Sequence, residues 1–285
     1  MSDSILAAIK MLSTPANFPD QSDYTSISIG HVAKLATKLE IPALKVEKIA
    51  LENNIIPERY VRNLKTYTSK EQLQLLQSTV AVVGLGGLGG AVVEILARAG
   101  IGCLYLADGD HFEDHNLNRQ LNSTSDLIGK SKSLAAKNRI AKINPSLLIK
   151  AHSEFISEEN AFRLIGPSHI VVDCLDNIKT RFMLAKVAKK LNSPLVSAAV
   201  GGLCGHVTTI FPEDTTLDMI YGSMDTSASK GAEASLGCLP QIVIMIAALE
   251  SSEVLKILLN RGQLLRNRLF VADLEDNTFE TLTLG

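Results

Sequence analysis

The chain has 285 residues, 46% of them hydrophobic, and a formal net charge of −2, so it can bury a sizeable core and lies near the size at which one core divides into domains. That charge balance supplies no global basic field for nucleic acid or a membrane surface, and neither is expected as a partner. Its 4 cysteines lack framework spacing, which points to a reducing compartment, the cytoplasm.

Residues 1–77 stand apart as an accessory N-terminal segment. Helical periodicity covers 4–12, 30–39 and 42–53, separated by a polar stretch over 14–26. The pair around Glu40-Ile41-Pro42 has the outline of a helix-turn-helix but lacks a basic recognition helix, which favours a helical cap. No basic start followed by an apolar run and a cleavage site is present, so no signal peptide is expected.

The segment 79–132 is the most informative. A strand, Val80-Ala81-Val82-Val83, runs into Gly84-Leu85-Gly86-Gly87-Leu88-Gly89, the GxGxxG spacing in its strand-to-helix context. Gly84, Gly86, Gly87 and Gly89 permit a tight turn, close approach to phosphate and packing of the following helix, whose free N–H groups face an anion. A second strand, Leu104-Tyr105-Leu106-Ala107, ends in Asp108, about 20 residues on, where a carboxylate can take both ribose hydroxyls. To this point NAD fits as well as ATP. The balance shifts at Asn116-Leu117-Asn118-Arg119-Gln120 and Gly129-Lys130-Ser131-Lys132. Arg119 offers a planar fork to phosphate oxygens and Lys132 a point charge, as a triphosphate needs and a nicotinamide does not. Lys130, Lys137 and Arg139 read as a solvated helix face.

Further strands are expected near 148, 170 and 195, with helices between them. The alternation implies right-handed crossovers and a Rossmann-like, mostly parallel α/β sheet covered by helices on both faces. The strand Ile170-Val171-Val172-Asp173 leads into Cys174-Leu175-Asp176-Asn177, at the strand end where ligands bind in such sheets. Asp176 can hold Mg²⁺, a hard ion that uses one or two carboxylates plus phosphate oxygens. Asp173 serves equally as a helix cap, as strand-end packing or as a site residue.

After residue 199 the rhythm changes. Stretches 205–211, 268–273 and 278–283 read as antiparallel strands extending one sheet edge, and His206 as a strand residue without catalytic duty. Residues 242–249 are strongly apolar, but Glu250, Glu253 and Lys256 interrupt them too early for a membrane span. They read as a buried helix. Lone cysteines are more often small buried hydrophobes than nucleophiles, and Cys103 and Cys174 read as core or pocket wall.

The glycine loop, Asp108, Asn116-Leu-Asn-Arg-Gln120, Lys132 in Gly-Lys-Ser-Lys, Ile143-Asn144-Pro145 and Asp173-Cys-Leu-Asp-Asn177 together resemble the ubiquitin-activating-enzyme-like adenylyltransferases, the MoeB, ThiF and HesA proteins of molybdopterin and thiamine biosynthesis. The resemblance covers roughly 59–284. It implies an adenylation domain over 78–285, whose antiparallel part, about 200–285, cradles a carrier protein. It also implies ATP and Mg²⁺ as ligands, with Asn116, Gln120 and Asn177 in the nucleotide site. The reaction is adenylation of the C-terminal Gly-Gly carboxylate of a small ubiquitin-like sulfur carrier, with release of pyrophosphate, in a homodimer that works with a sulfur donor protein. Arg59-Tyr60-Val61-Arg62-Asn63 is similar to the family's Arg-Tyr-x-Arg-Gln element, which makes Arg62 the residue that reaches the neighbouring subunit's ATP; Asn63 departs from that pattern.

Other departures concern cysteine. Relatives with structural zinc carry two Cys-x-x-Cys pairs. Here Cys103, Cys174, Cys204 and Cys238 are scattered, none falls near 214–222, and no zinc site is expected. Some relatives bear a reactive cysteine on the loop before the last long helix. That position aligns with Ala232 or Glu233, while Cys238 at the helix entrance is a shifted candidate, and Cys204 a candidate wall of the carboxylate tunnel. Two rival readings stay open on sequence alone, a nicotinamide-dependent oxidoreductase and a non-catalytic nucleotide-binding scaffold. A third stays within the family, with a carboxylate on a peptide or tRNA-linked adenosine.

Overall fold

The computed structural model describes residues 2–222 and 233–284. The N-terminal unit opens with α1 (Ser2–Leu12), β1 (Thr14–Asn17), β2 (Asp23–Ile27), α2 (Ile29–Leu39), α3 (Ala43–Glu52) and β3 (Ile55–Pro57). The three helices lie where periodicity predicts them. The polar stretch between the first two is a β-hairpin instead of a spacer, and β1, β2 and β3 form a small sheet with β2 in the middle. The turn accounts for the difference, because the polarity belongs to the turn itself. Gln21 adopts a φ of +64°, and Asp20 Oδ1 accepts from Ser22 N at 3.2 Å and from Ser22 Oγ at 2.6 Å. Ile5, Ile9, Val32, Leu35, Val46 and Ile49 meet in this unit's own core.

The larger unit follows as α4 (Ser69–Gln77), β4 (Thr79–Val83), α5 (Gly87–Ala99), β5 (Cys103–Ala107), α6 (Lys132–Ile143), β6 (Leu148–His152), α7 (Ala161–Ile165), β7 (Ile170–Asp173) and α8 (Ile178–Lys190). Then come β8 (Leu195–Gly201), β9 (Cys204–Ile210), α9 (Thr216–Tyr221), α10 (Glu233–Leu236), α11 (Pro240–Leu259), β10 (Arg268–Asp273) and β11 (Thr278–Thr283). One sheet runs β11-β10-β9-β8-β7-β4-β5-β6; β8 to β6 are mutually parallel, and β9, β10 and β11 are added antiparallel. Strands β4 and β7 are apolar along nearly their whole length because both faces are covered. Val80, Val82, Leu104 and Leu106 pack with α5 and α11 residues such as Leu96 and Ile246, while Ala81, Val83 and Val171 pack with Phe182 and Leu184 of α8.

The order reverses beside β4, where the chain crosses from β6 on one side to β7 on the other. At such a switch point the loops diverge and leave a crevice beyond the carboxyl ends of the strands. Among the described residues no helix is long and apolar enough to cross a membrane.

The linker between the units is pinned. Arg59 Nη1 donates to Glu47 Oε1 of α3 at 2.5 Å and to Asn144 Oδ1 after α6 at 2.6 Å. Tyr60 is wholly buried, and Asn144 Nδ2 donates to its hydroxyl at 2.8 Å.

Candidate active site

The carboxyl ends of β4, β5, β7 and β8 open onto one cleft of about 510 Å³. Gly84 makes the first turn with a φ of +86°, and a Cβ there would lie 2.6 Å from the carbonyl oxygen of Cys174. Gly89 acts through packing. A Cβ on it would meet the Gly84 carbonyl oxygen at 1.8 Å, so its absence lets α5 settle onto the strand end. Gly86 and Gly87 begin α5 and line the cleft. The first-turn N–H groups of a helix lack intrahelical acceptors and carry the positive end of its dipole, which makes this an anion-facing surface.

Asp108, one residue past β5, is tied into the glycine loop. Its Oδ2 accepts from Leu85 N at 2.6 Å and its Oδ1 from Asp110 N at 2.7 Å. Burial pushes the Asp108 carboxyl above its ordinary range, opposed by those two N–H groups and by Lys132. Lys132 heads α6 with its side chain 8% exposed, and its Nζ lies 3.1 Å from Asp110 Oδ2.

The Asn-Leu-Asn-Arg-Gln run folds as a tight turn on the opposite lip. Asn116 Oδ1 accepts from Glu113 N at 3.0 Å, and Arg119 Nη1 donates to the carbonyl of His115 at 3.0 Å and to Asn118 Oδ1 at 2.8 Å. Asn118 Nδ2 donates to the Cys238 carbonyl at 3.1 Å, which joins this turn to the entrance of α11. Gln120 is buried, and its Oε1 has no hydrogen-bond partner. A buried acceptor left unpaired on the wall of a cleft is suited to a ligand donor or water.

On the far side the two aspartates divide. Asp173 neither caps a helix nor faces the cleft; it is fully buried and paired with Arg181 of α8. The cap of α8 is Asn177, whose Oδ1 accepts from Thr180 N at 3.0 Å, so Asn177 combines capping with a place on the cleft wall. Asp176 is exposed and lines the cleft with its carboxylate committed to no cap. Among the described residues no group of three or more His, Cys, Asp or Glu is placed to hold a metal. A single carboxylate on the same cleft as the anion-facing start of α5 nevertheless fits Mg²⁺, which keeps its waters and takes substrate oxygens for the rest of its shell.

Arg181 and Glu250 escape sequence reading. An arginine on an exposed-looking helix and a glutamate in an apolar one carry no local signal. In the fold, Arg181 Nη1 also donates to Ser197 Oγ at 3.1 Å and to the Ala198 carbonyl at 2.8 Å, and Nη2 to the Leu175 carbonyl. Burial alone would lower the pKa of Arg181, but Asp173 overrides it and holds the guanidinium charged. Glu250 sits beneath the Cys174-Leu175 turn, 3.5 Å from Cys174 Sγ, and burial pushes both groups well above their ordinary ranges.

Cys238, two residues before α11, lines the cleft, as does Cys174. Cys204 is exposed at the start of β9 and does not line the cleft, so it is no wall of that space. Ala232 lies outside the described residues; Glu233 begins α10. Arg62 is exposed and lies outside its own chain's cleft, beside a second groove of about 380 Å³ lined by Phe18, Tyr24 and Glu58.

Residues 60–285 match the ThiF family. The SAMP-activating enzyme E1 of Haloferax volcanii is 31% identical over 211 residues, covering 74% of this chain and 78% of that protein. The sulfur carrier protein adenylyltransferase of Thermus thermophilus is 32% identical over 227 residues, covering 75% of this chain and 81% of its own length. The adenylyltransferase and sulfurtransferase MOCS3 of Drosophila sechellia is 31% identical over 239 residues, covering 79% of this chain, which spans only 51% of that relative. Among solved structures, E. coli MccB with ATP superposes with a TM-score of 0.69 at 21% identity, over 89% of this chain and 82% of that one. Selenomethionine PaaA gives 0.65 at 24%, over 80% and 73%. At those identities the likeness is one of fold.

Proposed function

Because this chain belongs to the ThiF family, we propose that it is an ATP-dependent adenylyltransferase that activates the C-terminal Gly-Gly carboxylate of a small ubiquitin-like sulfur-carrier protein. One observation carries this reading: the start of α5, Arg119, Lys132 and Asp176 converge on a single cleft. Relatives named as adenylyltransferases support the reaction class. Four cysteines scattered without framework spacing support a cytoplasmic setting.

The chemistry follows from charge. A carboxylate oxygen of the carrier forms a bond to the α-phosphorus of ATP, the bond from that phosphorus to the bridging oxygen breaks, and its electron pair leaves with pyrophosphate. A carboxylate is already deprotonated, so no general base is required. The obstacle is repulsion between a carboxylate and a polyanion, which positioned cations relieve. Asp108 holds the ribose, the N-terminus of α5 and Lys132 face the phosphates, and Arg119 stabilises the leaving pyrophosphate. Asn116 and Gln120 orient these groups. Asp176 would hold Mg²⁺, which supplies charge neutralisation at the phosphate oxygens. Arg62 would be contributed by the partner of a homodimer, consistent with its position away from its own cleft. The antiparallel strands β9, β10 and β11 would cradle the carrier. Cys238, on the cleft wall, would take the activated acyl group: its thiol loses the proton to solvent, the sulfur bonds to the carbonyl carbon, and the bond from that carbon to the phosphate oxygen breaks as AMP leaves, ahead of a sulfur donor protein.

Thermal stabilisation by Mg-ATP and by NAD, each in large excess, tests the reading. A saturating ligand adds roughly 2 to 4 kcal/mol at about 100 to 1,000 times its Kd. Stabilisation by Mg-ATP alone is expected, followed by pyrophosphate exchange that depends on a Gly-Gly carrier. A shift with NAD alone overturns it, and ATP binding without exchange reduces the protein to a scaffold.

A further inference from the structure

Arg62 stands in the middle of a segment that is held on both sides. Before it, Arg59 reaches Glu47 of α3, and Tyr60 is wholly buried. After it, Asn63 Nδ2 donates to Gln72 Oε1 of α4 at 2.9 Å, and Gln72 Nε2 donates to the Ala99 carbonyl at the end of α5 at 2.8 Å. Lys65 then turns back to the N-terminal unit. Its φ of +86° lies in the left-handed region, which a long side chain rarely adopts unless its surroundings hold it there. Those surroundings are the β1–β2 turn. Lys65 Nζ donates to Asp20 Oδ2 at 2.8 Å and to Ser22 Oγ at 2.7 Å, and lies 4.6 Å from the centre of the Phe18 ring. Phe18 in turn meets Tyr24 at 4.5 Å between ring centres, and both rings line the groove that Arg62 shares. Among the described residues Arg62 itself makes no hydrogen bond or ion pair.

We infer that the N-terminal unit presents Arg62 to the neighbouring subunit, with Lys65 and Asp20 as positioning residues that clasp the segment carrying it. The inference rests on the reading above that Arg62 acts across a dimer. An arginine on a loose linker would lose backbone as well as side-chain freedom on reaching a phosphate. With the segment already fixed at Arg59, Asn63 and Lys65, only the Arg62 side chain is left to order. The clasp itself does little for folding. Its two side chains are 51% and 59% exposed, and ion pairs so open to water contribute little to stability. A backbone strained to make a contact of small folding value is accounted for by what that contact positions.

Pyrophosphate exchange by clasp variants, alone and in mixtures that exchange subunits, tests this. Lys65→Met keeps the stem over Phe18 and removes the charge, while Asp20→Asn keeps an acceptor for Ser22. Each should lower exchange by about 10-fold, the scale of a misplaced group, and the double variant should be no worse. Lys65→Arg should restore exchange, and melting temperatures should stay within about 3 °C of wild type. Mixed with Lys132→Ala, Lys65→Met should recover about one quarter of wild-type exchange, because half of the dimers join an intact cleft to an intact Arg62 segment. Mixed with Arg62→Ala it should stay near about one twentieth, because every site then receives a faulty segment. Full exchange in Lys65→Met overturns the clasp alone, as does its failure to complement Lys132→Ala where Arg62→Ala succeeds. If Arg62→Ala also fails to complement Lys132→Ala, the reading of Arg62 across a dimer falls and the clasp with it.

Discussion

Arg181 Nη1 lies 2.9 Å from Asp173 Oδ2, with both side chains shut off from solvent, directly beneath the loop that presents Asp176. An ion pair of this kind is costly to break from one side, because the remaining charge is stranded in a medium that cannot solvate it. Arg181→Ala should therefore cost about 3–5 kcal/mol of stability. Removing both charges with Asp173→Asn and Arg181→Met should cost less than either change alone. Urea unfolding of the three variants checks this, and a double variant that shows the sum of the single losses would mean that the pair is not coupled.

Exposed Asp176 and buried Lys132 should separate activity from stability. Asp176→Ala is expected to abolish pyrophosphate exchange with an unchanged melting temperature, since its carboxylate supports no element of the fold. Lys132→Ala should lower exchange by about 10²- to 10³-fold, the scale of losing one positioned charge stabiliser. Full turnover in Asp176→Ala removes that residue from the mechanism.

Arg62 lies beside a groove away from its own cleft, so its contribution, if made across a dimer, is open to complementation. Arg62→Ala and Lys132→Ala alone should each retain about 1% or less of wild-type exchange. Mixed and allowed to exchange subunits, they should recover about one quarter of wild-type sites, because half of randomly assembled dimers carry one intact composite site. No recovery in a mixture shown to exchange would place Arg62 outside the reaction.

Buried ionisable groups set two opposite pH dependences. Burial, helped by Arg181, lowers the His206 pKa to about 4, so its neutral form stabilises the fold fully above about 6.5 and that contribution falls away as pH drops toward 4. The loss is on the order of 3 kcal/mol, and His206→Asn should flatten the stability profile over that range. Glu250 behaves in reverse. Its pKa is raised by burial and by Asp173, so the folded state binds the proton more tightly and stability declines as pH rises above about 4.5. Glu250→Gln should match the wild type near pH 4.5 and exceed it at pH 8, as read by thermal midpoints at the two values.

Cys238 should reveal whether a thiol follows adenylation. Cys238→Ala is expected to stop acyl transfer while sparing pyrophosphate exchange. Equal loss of both activities would assign the side chain to packing at the entrance of α11.

Much of this molecule was legible in the linear chain, where the physics is local. A buried parallel strand has to be apolar on both faces, and Val80 to Val83 announce it; a turn that closes on another backbone needs glycine, and Gly84 supplies it. The antiparallel strands at 268–273 and 278–283 fell where alternation places them. Local pattern failed where one signal serves two structures. The polar residues of 14–26 read as a spacer, yet the same residues make a hairpin turn, and only the pairing of Thr14 with Ser26 decides between them.

What the sequence determined by itself was a nucleotide-binding α/β chain and the types of side chain at its strand ends, because turn geometry and strand burial leave local marks. The tertiary structure alone decided the division of labour among them. It sent Asp173 inward to Arg181 and gave the cap of α8 to Asn177. It also left Asp176 on the cleft. These outcomes depend on contacts between residues distant in sequence, and such partners are selected by packing and desolvation that no local pattern records.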